Sequence, residues 1–178
     1  MVGGGDVDVP QGASAMSALL AAMPDRAPEA LAVRVNGDMA DLSRSLEDGD
    51  EVEPVFWGEE GSQDIYRHTA SHVMAQAVLE LFPGAKLAIG PAVEDGFYYD
   101  FELPRAVSPE DLSSIEERMA GIVEADMPLQ REVLSREAAV GLFRELGQRY
   151  KVELLEEMEE EEVTLYRQGD FVDLCRGP

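Results

Sequence analysis

Thiol, imidazole and amine side chains are scarce in this sequence. Cys175 is the one cysteine in 178 residues, so no disulfide can close within the chain and nothing marks a small secreted fold held by cross-links. Histidine occurs only at His68 and His72, and lysine only at Lys86 and Lys151. No apolar run approaches the roughly 20 residues that cross a bilayer, so no membrane partner is expected. The stretch Met1 to Asp6 has neither the basic start nor the apolar core of a secretion signal, and the expected location is the cytoplasm. Basic charge is short as well: 14 Lys and Arg stand against 37 Asp and Glu, giving a net charge of −23 and a pI near 4.2. Taken alone, that balance argues against a nucleic-acid binder, and no DNA partner is expected, because phosphate contacts need Lys and Arg. An RNA partner would be gripped mostly elsewhere, with these residues supplying a pocket. The acidity itself reads as a device for solubility.

What is present is enough apolar material for a core, 45% of residues. The first fifty-odd residues read as a small α+β unit. Asp6 to Val9 alternates like a strand, and Ser14 caps an Ala/Leu-rich helix that Pro24 follows. Leu31 to Val35 reads as a strand, Asn36-Gly37 as a hairpin turn and Met39 to Leu42 as the return. Asp48-Gly49-Asp50 is a further turn before Glu51 to Val55. Strand, helix and then several strands suggest a β-grasp, ubiquitin-like unit. Gly58 to Ser62 marks a boundary.

Beyond it, Ala70, Val73, Met74, Ala77, Val78, Leu81 and Phe82 follow the spacing of an amphipathic helix that Pro83-Gly84 stops. Lys86 to Ile89 and Gly96 to Phe101 read as strands. Ser108-Pro109 opens a helix with Leu112, Ile115, Met119 and Ile122 on one face. Gln130 to Leu134 reads as a strand, and Ser135 caps a helix from Arg136 to Gln148. The acidic run Glu156 to Glu162 reads as a solvated loop. Val163 to Tyr166 and Phe171 to Leu174 form a hairpin through Gln168-Gly169-Asp170.

The histidines are four residues apart. On a helix that puts them on one face, together with Gln76 and away from the apolar stripe. Placed at a helix N-terminus, both imidazoles are expected to be neutral, because the dipole disfavours added positive charge there. Three chemistries stay open: zinc held by His68, His72 and Cys175 with a water; Cys175 as a nucleophile activated by histidine; or a polar pocket in which histidines and a lysine hold a water against an ester. The metalloprotease pattern needs Glu after the first histidine, and Thr69 stands there instead.

The stretch Tyr66-Arg67-His68-Thr69-Ala70-Ser71-His72-Val73-Met74-Ala75-Gln76-Ala77-Val78 resembles the editing domain of bacterial threonyl-tRNA synthetases. So do Leu87-Ala88-Ile89-Gly90-Pro91, Glu94-Asp95-Gly96-Phe97-Tyr98-Tyr99-Asp100-Phe101 and Asp173-Leu174-Cys175-Arg176-Gly177-Pro178. The first fifty-odd residues, with Val35-Asn36-Gly37 and Asp41-Leu42-Ser43, resemble the TGS domain of that family. The histidine and aromatic motifs are shared with alanyl editing domains, whereas the TGS start and the Asp-Leu-Cys-Arg-Gly-Pro end point to the threonyl branch. The resemblance implies an α+β chain: a β-grasp TGS domain over 1–58, a linker over 59–62, and an editing domain of the threonyl/alanyl-tRNA synthetase type over 63–178, cut at its C-terminal end.

It also implies a function. The family attaches threonine to tRNA(Thr), and its second site hydrolyses Ser-tRNA(Thr), since an activation pocket rejects a slightly smaller analogue only modestly. By resemblance His68, His72, Lys151 and Cys175 are the catalytic residues of the cleft, Lys151 helping to place the attacking water. Tyr99 and Asp173 bind substrate, Tyr99 by shaping the cleft and Asp173, with Cys175, near the seryl moiety. The family continues with a third cleft histidine after Cys-Arg-Gly-Pro, so the 178-residue form is expected to hydrolyse more weakly than one extended past it. No metal is expected in this editing unit. The parent family uses ATP, Mg and a zinc in a separate catalytic domain and forms a homodimer. The alternatives are a non-catalytic RNA-binding or regulatory module on the same folds, or a zinc-dependent deacylase of the alanyl type.

Overall fold

The structure, a computed structural model, describes residues 5–93 and 95–177. Met1 to Gly4, Glu94 of the aromatic motif and Pro178 of the last motif lie outside the described residues. The chain is α+β and divides into two compact units, one holding the residues up to Tyr66 and the other Arg67–Arg176.

In the first unit, helix α1 spans Ala15–Ala22, and Ser14 caps it by accepting a hydrogen bond from Ser17 N at 3.2 Å. Strands β1 (Ala32–Val35), β2 (Asp38–Ala40) and β3 (Val52–Val55) form an antiparallel sheet in the order β2-β1-β3. The turn between β1 and β2 needs two left-handed residues, and Asn36 (φ 53°) and Gly37 (φ 91°) supply them. The Asn36 side chain also accepts from Glu51 N at 2.9 Å and donates to Asp50 at 2.7 Å, which fixes the approach to β3. Pro54 sits in an edge strand, where its lack of an N–H costs little. Ala15, Leu19, Val33 and Val52 make the core of this unit. Asp6 to Val9, expected as a strand, lies outside the three sheet strands. The segment is short and ends at Pro10, and Val7 and Val9 pack on the core instead of pairing.

Helix α2 is Ser62–Leu81, beginning two turns before the apolar spacing does. Four short strands follow: β4 (Lys86–Leu87), β5 (Ala92–Val93), β6 (Gly96–Phe97) and β7 (Phe101–Glu102). β4 pairs with β7 and β5 with β6, so the single strand expected over Gly96 to Phe101 is two. The break falls where the chain leaves β5 for β4. Tyr98 N still reaches Pro91 O, whereas Asp100 N already donates to Ile89 O at 2.8 Å.

Helix α3 (Pro109–Glu124) starts with a capping box between Ser108 and Asp111 and lays Ile122 against Val73 and Ala77 of α2. Strand β8 (Gln130–Ser135), helices α4 (Arg136–Glu145) and α5 (Arg149–Glu157), and strands β9 (Glu162–Gln168) and β10 (Phe171–Leu174) complete the chain. The sheet order is β10-β9-β8, antiparallel throughout. Phe143 of α4 and Leu155 of α5 are fully buried against Val163, Leu165 and Val172. The single helix expected from Arg136 to Gln148 is shorter, and α5 is an additional element. Gly147, at φ 67°, separates the two helices. No helix among the described residues is long and apolar enough to cross a membrane.

Candidate functional site

Three elements of the second unit converge on one carboxylate. Helical spacing puts His68 and His72 on one face of α2, with their rings stacked at 4.8 Å between centroids. Strand alternation puts Asp173 of β10 on the same side as Cys175, the residue just past the strand's end. Lys151 lies in the first turn of α5. Asp173 is 1% exposed, and both its oxygens are occupied. Oδ1 accepts from Lys151 Nζ at 2.7 Å and from Leu174 N at 2.8 Å. Oδ2 accepts from the Tyr99 hydroxyl at 2.5 Å and lies 3.1 Å from His72 Nδ1. Lys151 Nζ also donates to the Tyr99 hydroxyl at 3.1 Å. Nearer the surface, Cys175 Sγ is 3.4 Å from His68 Nε2.

The structure thus brings all six expected residues into one cluster, in two layers. His68 is partly exposed at the mouth beside Cys175. His72, Tyr99, Lys151 and Asp173 form a buried floor. Asp173 has four protein partners, which fill the lone pairs of a carboxylate. It therefore acts as the organising anion of the floor. His72 is oriented by that anion but is not fully satisfied. Neither of its ring nitrogens has a well-directed hydrogen-bond partner, although the ring is buried. A buried ring whose contacts are so poorly directed can turn a donor toward a ligand or a water in the cleft.

The electrostatics depart from the expectation of two neutral imidazoles. Because α2 begins at Ser62, His68 and His72 lie in its second and third turns, beyond the reach of the terminal dipole. Burial pushes the His72 imidazolium down, but the Asp173 carboxylate and the Cys175 sulfur outweigh it and hold its pKa at about 9. Burial pushes the Cys175 thiol up, yet hydrogen bonds from His68 and His72 bring it down to about 6. Burial also opposes the Asp173 charge, and His72 and Lys151 still keep the carboxyl below its ordinary value. Burial and then Asp173 push the Tyr99 hydroxyl far above its ordinary range. These neighbours favour the proton on His72 over the proton on Cys175, which makes His72 a donor toward Asp173.

A pH test follows from the proton count. Unfolded, His72 titrates near 6.5 and Cys175 near 9.0; folded, the two titrate near 9 and near 6. Folding moves a proton from sulfur to imidazole, and little is exchanged with solvent. The pair is therefore expected to leave unfolding free energy nearly flat between pH 6.5 and pH 9. In Cys175→Ala the sulfur's share of the shift is gone and Asp173 alone holds His72 up, so its contribution is full below pH 6.5 and lost as pH climbs through a folded value lower than the wild type's. The variant's stability should fall over that window with a limiting slope of ~1.4 kcal/mol per pH unit. Parallel urea titrations of both proteins check this, and identical pH profiles contradict it. On the acid side, the Asp173 contribution is present above pH 3.8 and is lost as pH falls further.

One ligating atom each from His68, His72 and Cys175 lies within 4.8 Å of the others. Zinc bonds of about 2.0–2.3 Å need ligand atoms closer together than that, so the three would have to close slightly. The carboxylate behind His72 is the partner that a metal-bound imidazole usually has. The donor set therefore fits zinc with three ligands, which would displace the His72 proton from the ligating nitrogen.

No protein-family model matches the chain. It is similar to the threonine–tRNA ligase of Wolbachia sp. subsp. Brugia malayi, 47% identical over 156 residues that make 87% of this chain and 25% of the relative. The threonine–tRNA ligase of Carboxydothermus hydrogenoformans is 45% identical over 172 residues, 96% of this chain and 27% of the relative. That of Marinobacter nauticus is 48% identical over 153 residues, 85% of this chain and 24% of the relative. At 45–48% identity sustained along most of its length, the chain is a homologue of the threonine–tRNA ligases over about a quarter of their length.

Proposed function

We propose that the unit Arg67–Arg176 is an editing hydrolase that releases serine from mischarged Ser-tRNA(Thr), and that the unit ending at Tyr66 is a β-grasp TGS domain. The partner is tRNA(Thr), and the reaction belongs in the cytoplasm beside the ATP-dependent ligation of a homodimeric parent. The homology to threonine–tRNA ligases supports the tRNA partner. One observation carries the hydrolytic reading: the buried imidazole of His72 is held through Nδ1 by Asp173, beside Cys175, His68 and Lys151 in one polar cleft. An N–H held in such a place is a donor for the oxyanion that forms when water attacks an ester carbonyl. His68, at the mouth beside Cys175, takes the proton of that water and returns it to the departing ribose oxygen. Lys151 balances Asp173, which keeps His72 protonated and oriented. No metal is required for these steps.

The test is deacylation of Ser-tRNA(Thr) by the chain extended past Pro178. His72→Ala is expected to slow single-turnover hydrolysis by on the order of 100-fold, the usual loss for one oxyanion donor. Lys151→Ala should slow it as well. Rates unchanged by both substitutions would mean a cleft without chemistry, and hence a binding or regulatory module.

The clustering of His68, His72 and Cys175 favours one second reading, a zinc-dependent deacylase. Metal analysis of the purified chain separates the two readings. Stoichiometric zinc, with activity lost to chelator and restored by zinc, supports the second.

A further inference from the structure

Lys151 can serve the cleft only if α5 is held at a fixed height against β4 and β7, next to the segment between β6 and β7 that carries Tyr99, and the residue that holds it is not one of the cleft residues. Gln148 directly precedes α5, yet its side chain makes no capping hydrogen bond to that helix. It is buried, at 7% exposed, and turns instead to the backbone around β4. Its Oε1 accepts from Leu87 N at 2.8 Å, and its Nε2 donates to Ala85 O at 3.2 Å. β4 pairs with β7 on one side only, so these groups would otherwise be buried and unpaired. The amide acts as a short extra strand. The backbone of Gln148 completes the tie: its N–H donates to Phe143 O at 2.8 Å, and its carbonyl accepts from Lys151 N at 3.1 Å. Leu87, the strand residue so held, packs with Tyr99 in one apolar cluster. The neighbours Arg149 and Tyr150 also reach across, to Glu102 of β7, but at an exposed edge where such contacts hold weakly.

We propose that Gln148 is a positioning residue: by joining the first turn of α5 to β4, it sets Lys151 Nζ against Asp173 and the Tyr99 hydroxyl. This rests on the hydrolytic reading only for its effect on rate; the placement of Lys151 stands apart from it. The fold gives Gln148 a task that simple filling of space would not. Methionine has similar length and no amide, so Gln148→Met removes both hydrogen bonds with little change in volume.

The scarcity of lysine makes the test direct. With only Lys86 and Lys151 in the chain, 15N-detected spectra of the side-chain amines contain two signals, and Lys86→Arg assigns them. The amine of Lys151, 2% exposed and 2.7 Å from Asp173, should give a slowly exchanging signal in the wild type. In Gln148→Met that signal is expected to broaden or move to the position of a solvated amine, while the backbone spectrum stays dispersed. Single-turnover deacylation should fall tenfold or more, with half-saturating concentration unchanged. If Gln148→Met does not fold, Gln148→Glu serves. It keeps the acceptor for Leu87 N, loses the donor to Ala85 O, and should show an intermediate change in both readouts. An unmoved Lys151 signal in a folded variant overturns the proposal, as does a rate loss that only tracks the unfolded fraction. A moved signal in a protein whose wild type does not deacylate Ser-tRNA leaves the positioning role standing and removes the hydrolytic reading.

Discussion

Asp173→Ala is expected to abolish deacylation and to cost ~3–5 kcal/mol of stability, the loss seen when one partner of a buried ion pair is removed. The side chain is 1% exposed, and the Lys151 amine and the His72 ring both depend on it. Without the carboxylate, two positive groups remain buried, the Tyr99 hydroxyl loses its 2.5 Å acceptor, and the Leu174 N–H loses its partner. A domain has only about 5–15 kcal/mol in hand, so the second unit should sit near its unfolding threshold. Asp173→Asn keeps the shape and removes the charge, and it should fall between wild type and alanine. Charge, and not shape alone, is at issue if Lys151→Met restores stability in the Asp173→Asn background. Thermal denaturation of the wild type, Asp173→Asn, Lys151→Met and the double variant reads this coupling directly. Additive effects would remove Asp173 from the centre of the cluster.

Gly90→Ala is expected to damage the site as well, by a smaller amount and from outside the polar cluster. A Cβ at Gly90 would lie 2.0 Å from Tyr99 Cδ2 and 2.5 Å from Cε2. The neighbour is an aromatic ring, not the loose end of a chain. That ring is buried and stacked on Phe101 at 4.7 Å. It must be displaced by more than an ångström to reach ordinary contact, which pulls the hydroxyl away from Asp173. The Gly90 carbonyl is itself fixed by Ser71 Oγ, so the loop cannot simply retreat. Overpacking of this kind costs about 1–3 kcal/mol. The variant should be less stable and slower than Tyr99→Phe, which deletes only the hydroxyl. Gly90→Ala combined with Tyr99→Ala should recover part of the stability, because the clash is gone. A Gly90→Ala protein with wild-type melting and rate would mean that Tyr99 does not need its seat.

Much of this architecture was legible because it rests on local signals. Ser14, Asn36-Gly37, the Ser108 to Asp111 box and Ser135 each specify a cap or turn through their own side chains, and each does so in the structure. Where local signal was weak, tertiary contacts decided. α5 has no side-chain cap and only nine residues, and it forms because Leu155 is buried on the sheet and Gln148 ties it to β4. The segment Gly96 to Phe101 reads as one strand because its aromatics share a strand preference, yet it serves two partners. The cleft was legible in residue types but not in charge. The spacing of His68 and His72 gives one face of α2, whereas the imidazolium at His72 depends on Asp173, a hundred residues downstream. Gln148 carried no signal that sequence reasoning could use, since its task exists only once β4 and α5 are side by side.

The central claim is that the cleft discriminates between two aminoacyl esters that differ by one methyl group. Single-turnover hydrolysis of Ser-tRNA(Thr) and Thr-tRNA(Thr), under identical conditions and with the His72→Ala protein as the reference, tests it most directly. The expected result is rapid loss of serine, slow loss of threonine, and near-background rates for both in the variant. A methyl group at a closely fitted site accounts for a ratio of about 10–200. Equal rates on the two esters, or serine released no faster by the wild type than by His72→Ala, would contradict it.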